Sequence, residues 1–136
     1  PLHTTYNIME VKMLKKNVID IGALLRRLRK DKGLTLLDLA RETGVDRAHL
    51  SRLENNKAEY PPSEGLLVKV AKATDTDSHQ LLFDNNKFPS EIVDLALNRK
   101  EIFDFLSIAF RMEKQLAASY WEKLTEELKE LQKNSP

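Results

Sequence analysis

Residues 35–54 read TLLDLARETGVDRAHLSRLE, and this stretch decides the fold. Leu36, Leu39 and Ala40 recur at the spacing of one helical face, as do Leu50 and Leu53 further on. Between the two runs stands Gly44, where the backbone must turn. Apolar Val45 follows it, then Asp46, a good N-cap for a new helix. Thr35 caps the first run, and Asp38 three residues later approximates a capping box. Two short helices around a sharp Gly-containing bend are therefore expected.

The pattern extends in both directions. Upstream, Ile21, Leu24, Leu25 and Leu28 form an apolar stripe on a helix from about Val18 or Asp20 to Lys30, with Arg26, Arg27, Arg29 and Lys30 on its other faces. Gly33 is the expected left-handed residue that ends it. Downstream, residues 55–62 (NNKAEYPP) form a loop, and Ser63 opens a fourth helix whose Leu66, Leu67, Val70 and Ala71 face inward. Residues 74–77 form a turn, after which Ser78 is expected to cap a short fifth helix carrying Leu81, Leu82 and Phe83. No strand signal and no internal repeat interrupts this series.

A different segment begins after the polar break at 84–87. Ile92, Val93, Leu95, Ala96 and Leu97 indicate one short helix. From about Lys100 to Lys133 there is neither Gly nor Pro, and helix formers dominate. The apolar residues within it, Ile102 to Met112 and then Ala117, Leu124 and Leu131 at seven-residue intervals, exceed what a lone helix leaves in water. They call for a partner, either the N-terminal domain or a second copy of the chain. Residues 1–17 show no clear period and are expected to be a flexible arm or an expression remnant.

The chain has 136 residues, 41% of them apolar and 32% charged, an ordinary composition for one main domain with an appendage. It contains no cysteine, which excludes disulfides, thiolate zinc sites and a cysteine nucleophile and suits a cytoplasmic protein. No apolar run approaches the roughly 18 residues of a membrane span, and no signal peptide is visible. The net charge of +1 hides an asymmetry. Residues 1–60 are basic overall and residues 61–136 acidic, as expected when one part meets phosphates. Catalysis is not expected: the histidines are His3, His49 and His79, with no metal-ligand spacing and no Gly-rich phosphate loop. No cofactor and no metal is implied.

From Ile21 to Leu82 the chain resembles the Cro/cI-type helix-turn-helix domain of phage repressors and bacterial XRE-like regulators. The residues carrying the resemblance are LRRLRKDKGLT at 25–35, LDLARETGV at 37–45, HLSRLENNK at 49–57 and PSEGLLVKVAKATDTDSHQLL at 62–82. The resemblance implies an all-α fold with a five-helix lambda-repressor-like DNA-binding domain at 18–83, and the apolar surplus beyond it makes 84–136 a helical C-terminal dimerisation region. It implies a transcriptional regulator, with the third helix as recognition helix. Arg47, Ala48 and Arg52 would then read base edges, Arg through guanine O6 and N7 and Ala through a thymine methyl. His49 and Ser51 would lie nearer the sugar-phosphate wall, with Asn55 and Lys57 on the following loop as backbone contacts.

Thr35 and the N–H groups opening the second helix suit a phosphate. Leu36 stands there where the family usually has Gln, and Asn55-Asn56 replace the usual Asn-Gly. Arg29 and Glu54 correspond to a partly buried ion pair that pins the recognition helix. Residues expected to dimerise the C-terminal helices are Phe103, Leu106, Phe110, Leu116, Tyr120, Trp121, Leu124 and Leu128. The implied partners are double-stranded DNA and a second copy of the chain. The rival reading is a protein-interaction module or antitoxin-like regulator whose C-terminal helices bind another protein.

Overall fold

The computed structural model describes residues 19–136, so the expected arm at 1–17 and the Val18 end of the first helix lie outside the described residues. Among the described residues there are eight helices and no strand. They are α1 (Ile21–Asp31), α2 (Leu36–Thr43), α3 (Arg47–Glu54), α4 (Glu64–Ala73), α5 (Ser78–Asp84), α6 (Ser90–Asn98), α7 (Lys100–Met112) and α8 (Ala118–Lys133). They divide into two compact units, one ending at Pro89 and one running from Ser90 to Pro136.

In the first unit each helix start is written by a short polar side chain. The caps are Asp20, Thr35, Asp46, Ser63 and Asp77, each accepting from a first-turn N–H that would otherwise be unsatisfied. The fifth cap corrects the sequence reading. Asp77, not Ser78, closes the N-terminus of α5, its Oδ1 accepting from Gln80 N at 2.9 Å, and Ser78 is already helical. Asp77 has the extended backbone of a capping residue, which brings its carboxylate to the first-turn N–H groups.

The core of this unit is a cluster of leucines. Leu39, Leu67, Leu81, Leu82 and Val70 are essentially sealed from solvent, joined by Leu25, Leu50, Leu53 and Leu66. Each such side chain contributes about 1.5–3 kcal/mol by leaving water. α2 and α3 supply Leu39, Leu50 and Leu53, and α4 packs against α2 and α5. Asp75, Asn56 and Asn86 take left-handed conformations at three successive turns, which short polar side chains tolerate best after Gly. The Lys87 N–H then donates to Leu82 O at 2.8 Å, and Pro89 is buried. Residues 84–89 thus close this unit.

The second unit is built differently. α6 and α7 adjoin, while the helix-rich stretch from Lys100 is interrupted at residues 113–117 and resumes as α8. No residue of α6, α7 or α8 is buried. The break brings Tyr120 back to Phe105, Ile108, Met112 and Leu116 around a small apolar hollow of about 280 Å³. A single straight helix would hold those side chains apart. Among the described residues no helix is long and apolar enough to cross a membrane.

Candidate nucleic-acid interface

The bend between α2 and α3 is held by more than its glycine. Gly44 has φ +69°, a conformation costly for any residue with a Cβ. Just before it, Thr43 is buried, its hydroxyl donating to Leu39 O at 2.7 Å and accepting from Val45 N at 3.3 Å. Asp46 Oδ1 then accepts from both Ala48 N (2.7 Å) and His49 N (3.2 Å), starting α3 at a fixed angle.

α3 turns Leu50, Leu53 and Glu54 inward and leaves Arg47, Ala48 and Arg52 exposed, with His49 and Ser51 half-buried at the margins. Residues 47, 48, 51, 52 and 55 follow the spacing of one helical face. Among the described residues no ion pair engages Arg47 or Arg52, so both guanidiniums keep their donor forks available. A cleft of about 390 Å³ flanks this face, lined by His49 and Arg52 on one side and by Glu59, Tyr60 and Pro62 on the other.

The opposite side of α3 is anchored to α1. Arg29 Nε donates to Glu54 Oε1 at 2.6 Å and Arg29 Nη2 to Glu54 Oε2 at 2.9 Å, a two-pronged pair with both residues buried. The third guanidinium nitrogen, Nη1, donates to Leu34 O at 2.8 Å. The hydrogen bond to Glu54 raises the Arg29 pKa further above its usual range, so this charge is permanent. Because the two charges satisfy each other and a backbone carbonyl, the pair is tolerated in the interior.

Three residues to which the sequence reading gave no part in the anchor complete it. Asn56, in a left-handed conformation, accepts from Gly22 N at 3.1 Å and donates to Asp20 Oδ1 at 2.8 Å. A Cβ on Gly22 would lie 2.6 Å from Glu54 O and 2.8 Å from Leu53 O, so only glycine lets α1 approach the end of α3 this closely. The sequence signal was present. Gly22 lies in the first turn of α1, where glycine is a poorer helix former than alanine and so hints at a packing reason.

At the N-terminus of α2, Thr35 and Asp38 form a full capping box. Asp38 N donates to Thr35 Oγ1 at 3.1 Å, while Thr35 N and Oγ1 both donate to Asp38 Oδ2, at 2.8 and 2.6 Å. Those bonds hold the Asp38 carboxyl below the usual carboxylate range, the Thr35 hydroxyl being the larger cause. The donors left for an anion there are the first-turn N–H groups of Leu36 and its neighbour, not the Thr35 hydroxyl. Leu36 itself is half-buried, and Thr35, Asn55 and Lys57 are exposed.

The eight residues expected to dimerise the chain lie in the second unit. Phe110 and Leu128 are the most open of them, and Leu116 and Leu124 are half-buried. Tyr120 and Trp121 stack edge to face, 5.6 Å between ring centroids. Among the described residues no group of acidic, His or Cys side chains could hold a metal ion.

Residues 25–81 match the family model described as helix-turn-helix. Two curated proteins named HTH-type transcriptional regulator SinR, from Bacillus subtilis strain 168 and from Bacillus licheniformis, are each 36% identical over 67 residues. The alignment takes in 49% of this chain, and the chain spans 60% of the length of those relatives. Among solved structures, the N-terminal DNA binding domain of SinR from Bacillus subtilis is 39% identical, with 46% of this chain and 88% of that chain covered and a TM-score of 0.42. The clp gene regulator ClgR from Corynebacterium glutamicum is 29% identical, with 66% and 89% covered and the same TM-score of 0.42.

Proposed function

We propose that the chain is a sequence-specific DNA-binding transcriptional regulator of the Cro/cI-type helix-turn-helix kind, a reading supported by the match of residues 25–81 to the helix-turn-helix family model. One observation carries the reading. α3 presents Arg47, Ala48 and Arg52 outward, with both arginines free of ion pairs among the described residues, while its other face is pinned by a buried Arg29–Glu54 pair. A rigid helix with two guanidiniums about a turn apart is suited to guanine edges in a major groove. His49, Ser51, Asn55, Lys57 and the α2 N-terminus border it on the side of the phosphates. These contacts set register and salt dependence rather than sequence preference.

The second unit supports homodimerisation. Its three helices bury no residue, yet carry Phe103, Leu106, Phe110, Trp121 and Leu128 exposed. A second copy would cover this surface. Two recognition helices about 34 Å apart would then read an inverted repeat with half-sites one turn apart. Occlusion of a promoter would make repression the outcome, in the cytoplasm, with no cofactor required. The same exposed surface favours a second reading, an antitoxin-like regulator whose C-terminal helices bind a different protein.

Selection of bound duplexes from a random-sequence pool tests the proposal. Enrichment of an inverted repeat with guanine in each half-site is the expected result. Failure to enrich any sequence, together with binding to random duplex that does not respond to salt, would overturn it.

A further inference from the structure

The Asn55 amide, at the C-terminal end of the recognition helix, is gripped on both sides by groups that fix its orientation. Arg26 Nη2 lies 2.6 Å from Asn55 Oδ1, and a guanidinium has donors only, so the atom facing it is the oxygen. On the other side Asn55 Nδ2 lies 2.7 Å from Ser51 O, a carbonyl that can only accept. Both constraints select the same arrangement of an amide that is otherwise free to turn over. One Nδ2 hydrogen serves Ser51 O. Among the described residues the second reaches no nearer acceptor than Ser51 Oγ at 3.5 Å, the outer limit of a hydrogen bond. The exposed side of Asn55 is therefore a donor.

Arg26 is itself committed to the protein. Its Nη2 also reaches Glu54 O at 3.4 Å, and its Nε lies 3.5 Å from Glu54 Oε2. A guanidinium there complements the partial negative charge at the helix C-terminus. The Arg29–Glu54 pair pins α3 without touching Asn55, so amide orientation is a separate task, and Arg26 is the side chain that serves it, alongside the Ser51 carbonyl.

Resting on the DNA-binding reading above, we propose that Arg26 is a positioning residue for the DNA backbone. By donating to Asn55 Oδ1 it turns the Asn55 amide so that an N–H, not an oxygen, meets a phosphate. Arg26 does not contact the DNA. With the amide reversed, an acceptor would face an anion and the contact would become repulsive.

The test is a salt series of equilibrium binding to a random-sequence duplex pool, using the full chain as wild type, Arg26→Met, Asn55→Ala and the double variant. Phosphate contacts are independent of sequence, so no operator is needed. Arg26→Met is expected to weaken binding by about 3- to 10-fold, the size of one hydrogen bond. Asn55→Ala should do the same, and the double variant should bind no more weakly than Asn55→Ala alone. The slope of log affinity against log salt should match wild type in every case.

Three results would overturn the proposal. They are a slope shallower by about 0.9 in Arg26→Met, which marks a direct phosphate contact, additive losses in the double variant, or wild-type affinity in Arg26→Met. Should Arg26→Met not fold, Arg26→Gln removes the charge and, being two atoms shorter, draws its donor back from Asn55 Oδ1, and its slope and its cycle with Asn55→Ala are judged by the same criteria. Wild-type protein that leaves the duplex pool unbound would instead overturn the DNA-binding reading, and this proposal with it.

Discussion

Glu54 is a carboxylate at the end of α3, only 5% exposed, with both oxygens bonded to one guanidinium. Its charge is tolerable chiefly because Arg29 is there, with Arg26 Nε a more distant second at 3.5 Å. Glu54→Gln should therefore cost more than a typical buried polar change, about 3–5 kcal/mol, since it strands the Arg29 charge in the interior. Denaturant unfolding of the variant reads this directly, and a loss below about 1 kcal/mol would mean the pair behaves as a surface bridge. At Gly22 the cost is steric. The backbone of Leu53 and Glu54 lies where a methyl group would go, so Gly22→Ala should destabilise by about 1–3 kcal/mol, although alanine is the better helix former. A neutral or stabilising effect in a thermal melt would show that α1 can withdraw from α3 at no cost.

The helices of the first unit owe their limits to local chemistry, and two of the caps make them sensitive to acid. Asp20 is held below the usual carboxylate range chiefly by the Ala23 N–H and then by Asn56, and Asp38 chiefly by the Thr35 hydroxyl. A carboxylate with a depressed folded-state pKa stabilises above its unfolded value, and that contribution is lost as pH falls through the folded value. Stability should thus be steady near neutrality and fall below about pH 4. In Asp38→Asn part of that acid dependence should vanish. An unfolding midpoint followed from neutral to acid pH in both proteins measures the difference, and parallel curves would remove Asp38 from the account.

On the scale of the molecule, the two units have unequal means of support. The first has a sealed leucine core, and the second has none of its residues buried. A fragment ending at Pro89 keeps the Lys87–Leu82 bond and the buried proline that close α5. A cut after residue 86 would sacrifice both. The Pro89 fragment should fold as a monomer and bind duplex much more weakly than the whole chain. Light scattering and a binding titration check both halves, and a fragment that dimerises normally would move dimerisation out of Ser90–Pro136.

What could be read without coordinates was whatever depends on near neighbours along the chain. Apolar spacing placed the five helices of the first unit, and the Thr35–Asp38 box, the Gly44 bend and the Asp46 cap lie within four residues of the groups they serve. The Arg29–Glu54 pair came from resemblance, because nothing local links positions so far apart in sequence. Asp77 escaped because Asp and Ser cap equally well on paper, and the interruption at 113–117 because no Gly or Pro marks it. Only tertiary structure decided that Asn56 reaches back to Gly22 and Asp20, and that Arg26 orients Asn55. Those bonds join α1 to the end of α3 across more than twenty residues, and a long-range contact exists only once the leucine core has brought the helices together.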